Sequence, residues 1–353
     1  MDVLSARLKQ GLYMKRFLFH TACAVLLLAG VSLTSCGAKK AQKNSIAVFI
    51  PGILSDSPIY KMLADGVEQA VASYNESHDA LHAAACKIIE ANTNQAEWGP
   101  KLTALAAEGT YDVIISSNPS LPEIIKPILA QFPKQKFILL DAYQKDVPTV
   151  ATMRYNQHEQ AFLSGYISAL MSKSHHIGLI AAQQYPIMDN VILPAYKEGA
   201  EQALPGTTVD YRIVGNWYDA SKGAELARAM HEAGTDVILP ICGGASQGVI
   251  ATAKELDFFV SWFDSNGFGK APGNIISSTT LKQDKLTKEL TLQYLNGSLE
   301  WGSARTVGVA EGYVEFIQDD PLYLSTIPAA VREKVAAVVS GIQAGTISLP
   351  QND

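Results

Sequence analysis

Short apolar runs recur along the chain, and each ends on a cluster of glycine, serine, asparagine or aspartate. Residues 237–239, Val-Ile-Leu, follow Thr235-Asp236; the run is too short for a helix and β-branched enough for a buried parallel strand. The loop Cys242-Gly243-Gly244 comes next, residues 245–255 carry helical spacing, and the apolar strand 258–263 stops at Asp264-Ser265-Asn266. The same order occurs earlier: strand 113–115, loop Ser117-Asn118-Pro119, helix 121–131, strand 137–140, then Asp141. Two echoing β-α-β units predict two similar α/β lobes. In such units ligands sit beyond the carboxyl ends of the strands. Gly243, Gly244 and Asp264 of one lobe, and Asn118 and Asp141 of the other, would therefore face a shared cleft. That is the shape of a protein that closes over a small molecule.

The remaining pattern fills in both lobes. Strand 46–50 leads through a loop to a helix ending near residue 74, with Asp56 or Ser57 as its cap, Pro58 in its first turn and Tyr60 as an aromatic wall of the cleft. Strand 87–90, helix 97–108, strand 150–153 and a long helix over 156–173 follow; Ala161, Gly165 and Ala169 would let that helix pack closely. The second lobe reads as strand 177–181, loop 183–190, a helix to 203, strand 209–214 and helix 224–233. Trp217 and Tyr218 stand together at a strand end, and a large exposed aromatic there asks for a purpose. Trp217 is the ligand candidate of the two. After Asn266 the chain is expected to return to the first lobe, with strand 275–278, turn 279–284, helix 285–296, edge strands 306–309 and 313–317, and a closing helix 328–344. The expected lobes are thus 45–149 with 267–302, and 150–266 with 303–348, hinged near Val150, Ser265 and Ser303.

At 353 residues the chain suits two α/β domains. A net charge of −6, with the basic residues scattered, gives no stripe for nucleic acid. Cys86 and Cys242 fall in different lobes, where a disulfide would pin the hinge, so both read as buried free thiols. There is no Gly-x-Ser-x-Gly elbow, Walker loop or His-Glu-x-x-His. His175-His176 precede a strand and are expected to face solvent, and Asp319-Asp320-Pro321 reads as a surface turn. Asp141 and Asp264 lack a neighbouring nucleophile. The expectation is binding without catalysis, cofactor or metal.

Ahead of the lobes, Met14 is followed by Lys15-Arg16 and the apolar run 17–31, the layout of a secretory signal with Met14 as its start. The apolar core is short for a membrane span. Leu33-Thr34-Ser35-Cys36-Gly37 resembles the lipobox of bacterial lipoproteins, which implies a signal over 1–36, lipid on Cys36, a flexible tether over 37–44 and membrane attachment on the periplasmic side without a transmembrane helix.

Several stretches together resemble the basic membrane protein family of solute-binding lipoproteins, which includes purine nucleoside receptors. They are residues 149–155 with 159–166, Tyr218-Asp219-Ala220-Ser221-Lys222-Gly223, residues 236–248 with their Gly-Gly, and Phe263-Asp264-Ser265-Asn266. The resemblance implies a type I periplasmic binding protein fold, three crossovers, a ligand held at the hinge, and delivery to an ABC permease driven by an ATPase. It implies that Asp264 accepts bonds from ligand hydroxyls, that Lys282 reaches the same region, that Gly243 lets the ligand approach the backbone, that Trp217 stacks, and that Asp141 ends the matching strand. The first loop departs from the nucleoside receptors, reading Ser55-Asp56-Ser57-Pro58-Ile59-Tyr60 where they carry an asparagine and a phenylalanine. A wider stacking face points to the riboflavin receptor branch, with Asp56, Tyr60, Asn118, Asp141, Tyr143, Trp217, Gly243, Asp264, Asn266 and Lys282 as ligand-binding residues. A purine nucleoside receptor is the alternative, and a surface adhesin the more distant one.

Overall fold

A computed structural model of the chain describes residues 44–351. The expected start at Met14, the signal, Cys36 and the tether up to residue 43 lie outside the described residues. Among the described residues twelve strands, numbered in chain order, form two sheets. The first contains β1 (Ser45–Ile50), β2 (Ala85–Glu90), β3 (Val113–Ser117), β4 (Lys136–Leu140), β5 (Val150–Tyr155) and β11 (Ala304–Val307), in the order β11-β5-β4-β3-β1-β2. The second contains β6 (His176–Ala181), β7 (Thr208–Ile213), β8 (Val237–Ile241), β9 (Phe259–Trp262), β10 (Ile275–Leu281) and β12 (Val314–Phe316), in the order β12-β10-β9-β8-β6-β7. The two orders are the same path walked twice. Pairing is parallel throughout except between β10 and β12.

Helices cover both faces of each sheet, which is why the central strands are apolar without alternation. Ile46 to Ile50 of β1 are wholly buried. On the first lobe α1 (Pro58–Asn75) lies beside α8 (Gln283–Leu295), while α2 (Trp98–Glu108) and α3 (Leu121–Gln131) pack together. The second lobe carries α4 (Gln157–Met171), α5 (Leu193–Ala203) with a π-helical lead-in Met188–Ile192, α6 (Ala220–Glu232), α7 (Ser246–Leu256), α9 (Pro321–Thr326) and α10 (Ala329–Gln343). Caps set several starts. The Ser57 hydroxyl accepts from the Tyr60 N–H, 3.4 Å away, with Pro58 at the first helical position. Asp219 accepts from the Lys222 N–H at 2.9 Å, so α6 starts four residues before its apolar spacing indicates. Asp320 caps α9 through the Leu322 N–H, so the Asp319-Asp320-Pro321 stretch opens a helix and is more than a turn.

The lobe boundaries differ from those expected. β5 pairs with β4 and β11 in the first sheet, so the chain first crosses at Asn156. β10 lies between β9 and β12 in the second sheet, so the second crossing comes after Leu281. β11 returns to the first sheet, and the third crossing spans residues 308–313. The hinges therefore lie near 156, 282 and 308–313, displaced from Val150, Ser265 and Ser303. Residues 279–281 fall in the turn expected over 279–284. They instead continue β10, their hydroxyls paired inside the sheet: Thr279 Oγ1 donates to the Trp262 carbonyl and Thr280 Oγ1 to that of Asp264, each at 3.4 Å. Buried polar groups are tolerated when bonded in this way.

Cys86 and Cys242 are free and lie in different lobes. Cys242 is buried, whereas Cys86 is only half-buried because β2 is the outer strand of its sheet. His175 is exposed and His176 partly so. Among the described residues no helix is long and apolar enough to cross a membrane, and no cluster of three or more histidine, cysteine, aspartate or glutamate side chains could hold a metal ion.

Candidate functional site

The carboxyl ends of the two sheets face one another across a cleft of about 650 Å³. Each lobe contributes the loops after its equivalent strands: Tyr60, Asn118 and residues 141–143 on one side, Tyr185, Trp217, residues 242–244 and Asp264 on the other.

Asp141 directly follows β4 and Asp264 stands two residues past β9, and both adopt left-handed backbone conformations, φ 50° and 67°. Aspartate tolerates this region better than most residues, and the turn projects a carboxylate into the cleft from each strand end. One oxygen of each is already engaged by an amide of α4. Gln157 Nε2 donates to Asp141 Oδ1 at 3.2 Å, and Gln160 Nε2 to Asp264 Oδ1 at 3.0 Å. Burial, reinforced by the charge on Asp264, pushes the Asp141 carboxyl up to about 8. Burial raises Asp264 to about 6 against the opposing effect of the Gln160 bond. These are two carboxyl groups in a poorly solvated setting, suited to a ligand whose hydroxyls can both donate and accept.

Aromatic side chains form the walls. Tyr60 receives a bond from Asn118 Nδ2 at 3.5 Å, and burial lifts its hydroxyl to about 12 despite that bond. Trp217 lies against the Gly243-Gly244 turn. Gly243 has φ 57°, and a Cβ there would lie 3.0 Å from the Trp217 carbonyl oxygen, so glycine serves both the backbone conformation and the indole's seat. Tyr185 sits 6.2 Å from Trp217 between ring centres, tilted by 43°. Its phenol is raised by burial and by the nearby charges of Asp264 and Asp141. At the first lobe's rim the Arg154 guanidinium stacks 4.0 Å above the half-exposed ring of Tyr143, while its Nε donates to Thr306 Oγ1 at 2.8 Å. Lys270 lies 5.1 Å over the Trp262 ring on the opposite lobe.

Tyr60, Asn118, Asp141, Tyr143, Trp217, Gly243 and Asp264 are thus brought to one cleft. Two other expected residues are placed elsewhere. Asn266 is exposed and turns to the α9 cap, its Nδ2 donating to Asp320 Oδ2 at 2.9 Å and its Oδ1 accepting from the Phe268 N–H. Lys282 stands at the second crossing and pairs with Glu315 on β12, while its backbone N–H donates to the Tyr313 carbonyl at 2.9 Å. β10 reaches Leu281 before the chain turns, which leaves this lysine at the hinge and off the cleft wall. The Asp56 side chain lies outside what is described. The sequence pattern did not single out Arg154, Gln157, Gln160 or Tyr185. Tyr185 could have been found by symmetry, since it follows β6 as Tyr60 follows β1.

Among the described residues nothing in the cleft is arranged as an activated nucleophile. Cys242, the one thiol on its wall, is raised to about 11 by burial and is held 3.3 Å from Ser246 Oγ. Thiolate chemistry needs the opposite environment.

Residues 43–348 match the family model described as ABC transporter substrate-binding protein PnrA-like. Basic membrane protein A of Borreliella afzelii is 28% identical over 236 residues, covering 65% of this chain and 71% of that protein. The ABC transporter nucleoside-binding protein BmpA of Lactococcus lactis is 24% identical over 262 residues, covering 69% and 73%. In fold, the chain is similar to an ABC transporter system solute-binding protein of Aeropyrum pernix, with a TM-score of 0.72 at 19% identity over 88% of this chain and 94% of that one.

Proposed function

This chain belongs to the PnrA-like family of substrate-binding proteins of ABC transporters, and from that premise we propose that its cleft captures riboflavin for import. A family member of this kind serves a small-molecule ligand and a permease. The observation that carries the choice of ligand is the set of aromatic faces from both lobes, Tyr60, Tyr185 and Trp217, around two carboxylates, Asp141 and Asp264. A tricyclic ring would use the faces, and a chain of hydroxyls, which donate and accept, would pair with the two carboxyl groups. Each well-placed aromatic pair adds about 0.5–1.5 kcal/mol beyond burial, and each unmatched buried polar group costs about 1–3 kcal/mol. Ring size and hydroxyl count together therefore set the preference. A volume of about 650 Å³ falls within the usual range of small-molecule sites.

Binding on one lobe followed by closure at the three crossings would present the permease with a distinct loaded form, provided that the ligand gains contacts on closing. Lipid on Cys36 would hold the protein at the membrane beside that permease and its ATPase. No step in this reading requires catalysis, a cofactor or a metal.

A purine nucleoside is the second reading. It is favoured by the relative from Lactococcus lactis that is named a nucleoside-binding protein, and it too presents a flat ring and hydroxyls. Titration with riboflavin, followed by flavin fluorescence with adenosine as competitor, separates the two. Quenching that adenosine does not reverse supports riboflavin. Adenosine binding without a flavin response transfers the site to nucleosides.

A further inference from the structure

The two cleft carboxylates are held from a single place. Gln157 and Gln160 lie one turn apart at the start of α4, just after the first crossing, and each gives its side-chain amide to one aspartate. α4 belongs to the second lobe, where it packs on α5 and β10. Gln160 therefore serves the aspartate of its own lobe, whereas Gln157 reaches across to the other. Gln160 is wholly buried, and its Oε1 has no hydrogen-bond partner. Burying an unmatched amide oxygen is costly, and the bond that Nε2 gives Asp264 is what the structure sets against that cost.

We propose that Gln157 and Gln160 are positioning residues which aim the two ligand-facing carboxylates and set how readily each ionises, Gln157 doing so across the lobes. The inference rests on the cleft being the ligand site. An amide N–H given to a carboxylate favours its ionised form. Around the pair stand the phenols of Tyr60, Tyr155 and Tyr185, with Asp284 near Tyr155, and the cleft-lining cations Arg154 and Lys270. The amides of Gln157 and Gln160 donate directly to these two carboxylates.

The test needs no ligand to begin. Carboxyl carbon NMR of the ligand-free protein, with signals assigned through Asp141→Asn and Asp264→Asn, gives each aspartate's titration midpoint. Gln160→Leu should raise the Asp264 midpoint by about one pH unit and Gln157→Leu that of Asp141 by a similar amount. Gln157 is only part-buried, so its variant keeps the question answerable should Gln160→Leu fold poorly. Midpoints that stay in place would overturn the proposal. Riboflavin affinity is the second readout. In Gln160→Leu it should fall about fivefold at pH 6, where a midpoint moved up by one unit from about 6 leaves about a tenth of the carboxyl ionised in place of half, and recover towards pH 9, where the carboxylate ionises without help. A loss that is the same at every pH would mark a structural defect and also overturn it. Wild-type protein that binds neither riboflavin nor adenosine would count against the proposed ligand, while the NMR midpoints would still decide the role of the glutamines.

Discussion

Gly165 on α4 and Gly199 on α5 are reciprocal partners. A Cβ on Gly165 would lie 2.0 Å from the Tyr196 carbonyl oxygen, and one on Gly199 would lie 2.0 Å from that of Phe162. The obstacle on both sides is backbone, which cannot rotate away, so the helix that carries Gln157 and Gln160 has its position fixed by the absence of two side chains.

Replacing Gly165 by alanine should therefore destabilise the protein by about 3 kcal/mol, at the upper end of ordinary overpacking, and weaken ligand binding with it. Gly269→Ala is the control, because nothing lies within 4 Å of a Cβ there; its change should stay within about 0.5 kcal/mol. Urea denaturation followed by tryptophan fluorescence measures both.

Asp141→Asn should stabilise the ligand-free protein, and more so as pH rises. The folded carboxyl titrates at about 8, whereas in an unfolded chain an aspartate titrates at about 3.9. Between these values the unfolded state gives up its proton first, so wild-type stability falls as pH climbs through that window. Asparagine has no proton to lose. The difference in melting temperature should be near zero at pH 4 and reach about 2 °C or more by pH 8.5; a constant difference across that range would refute the assignment.

Trp217→Ala should lower riboflavin affinity by about tenfold or more, as expected for an aromatic wall at the centre of a site. Tyr143→Ala should cost less, since Tyr143 sits at the rim and remains 46% exposed. Equal losses in fluorescence titration would show that the two rings do not differ as centre and rim.

Lys282→Ala should leave affinity within about threefold. Its partner is Glu315, and the two side chains are 39% and 44% exposed, a setting in which an ion pair contributes about 0–1 kcal/mol. A loss of a hundredfold would return Lys282 to the ligand.

The strands of both lobes were legible because parallel strands covered on both faces must be continuous apolar runs, and Asp141 and Asp264 stood out as charges ending such runs. The cap at Ser57 and the glycine at 243 were legible for similarly local reasons. What the pattern could not convey was membership. A strand such as β10 carries no mark of its sheet, which depends on whether β9 and β12 line up beside it, and its buried Thr279 and Thr280 resemble a turn until their hydroxyl partners are known. Gln157, Gln160 and Arg154 were hidden for another reason: polar residues at a helix start or on a strand are ordinarily solvated, and only the fold turns Gln157 and Arg154 to the cleft and Gln160 to Asp264.

The strand order also governs how the molecule can be assembled. One outer strand of the first sheet, β11, begins only at Ala304, and one of the second, β12, only at Val314. A chain appearing from its amino end must leave β5 and β10 with open edges until its last segments arrive, and an open edge invites pairing with another chain. Neither lobe can finish early, and neither can be cut out as a contiguous piece. Both complete their sheets nearly at the same moment, so the apparatus that closes on a ligand comes into being with the two halves already joined.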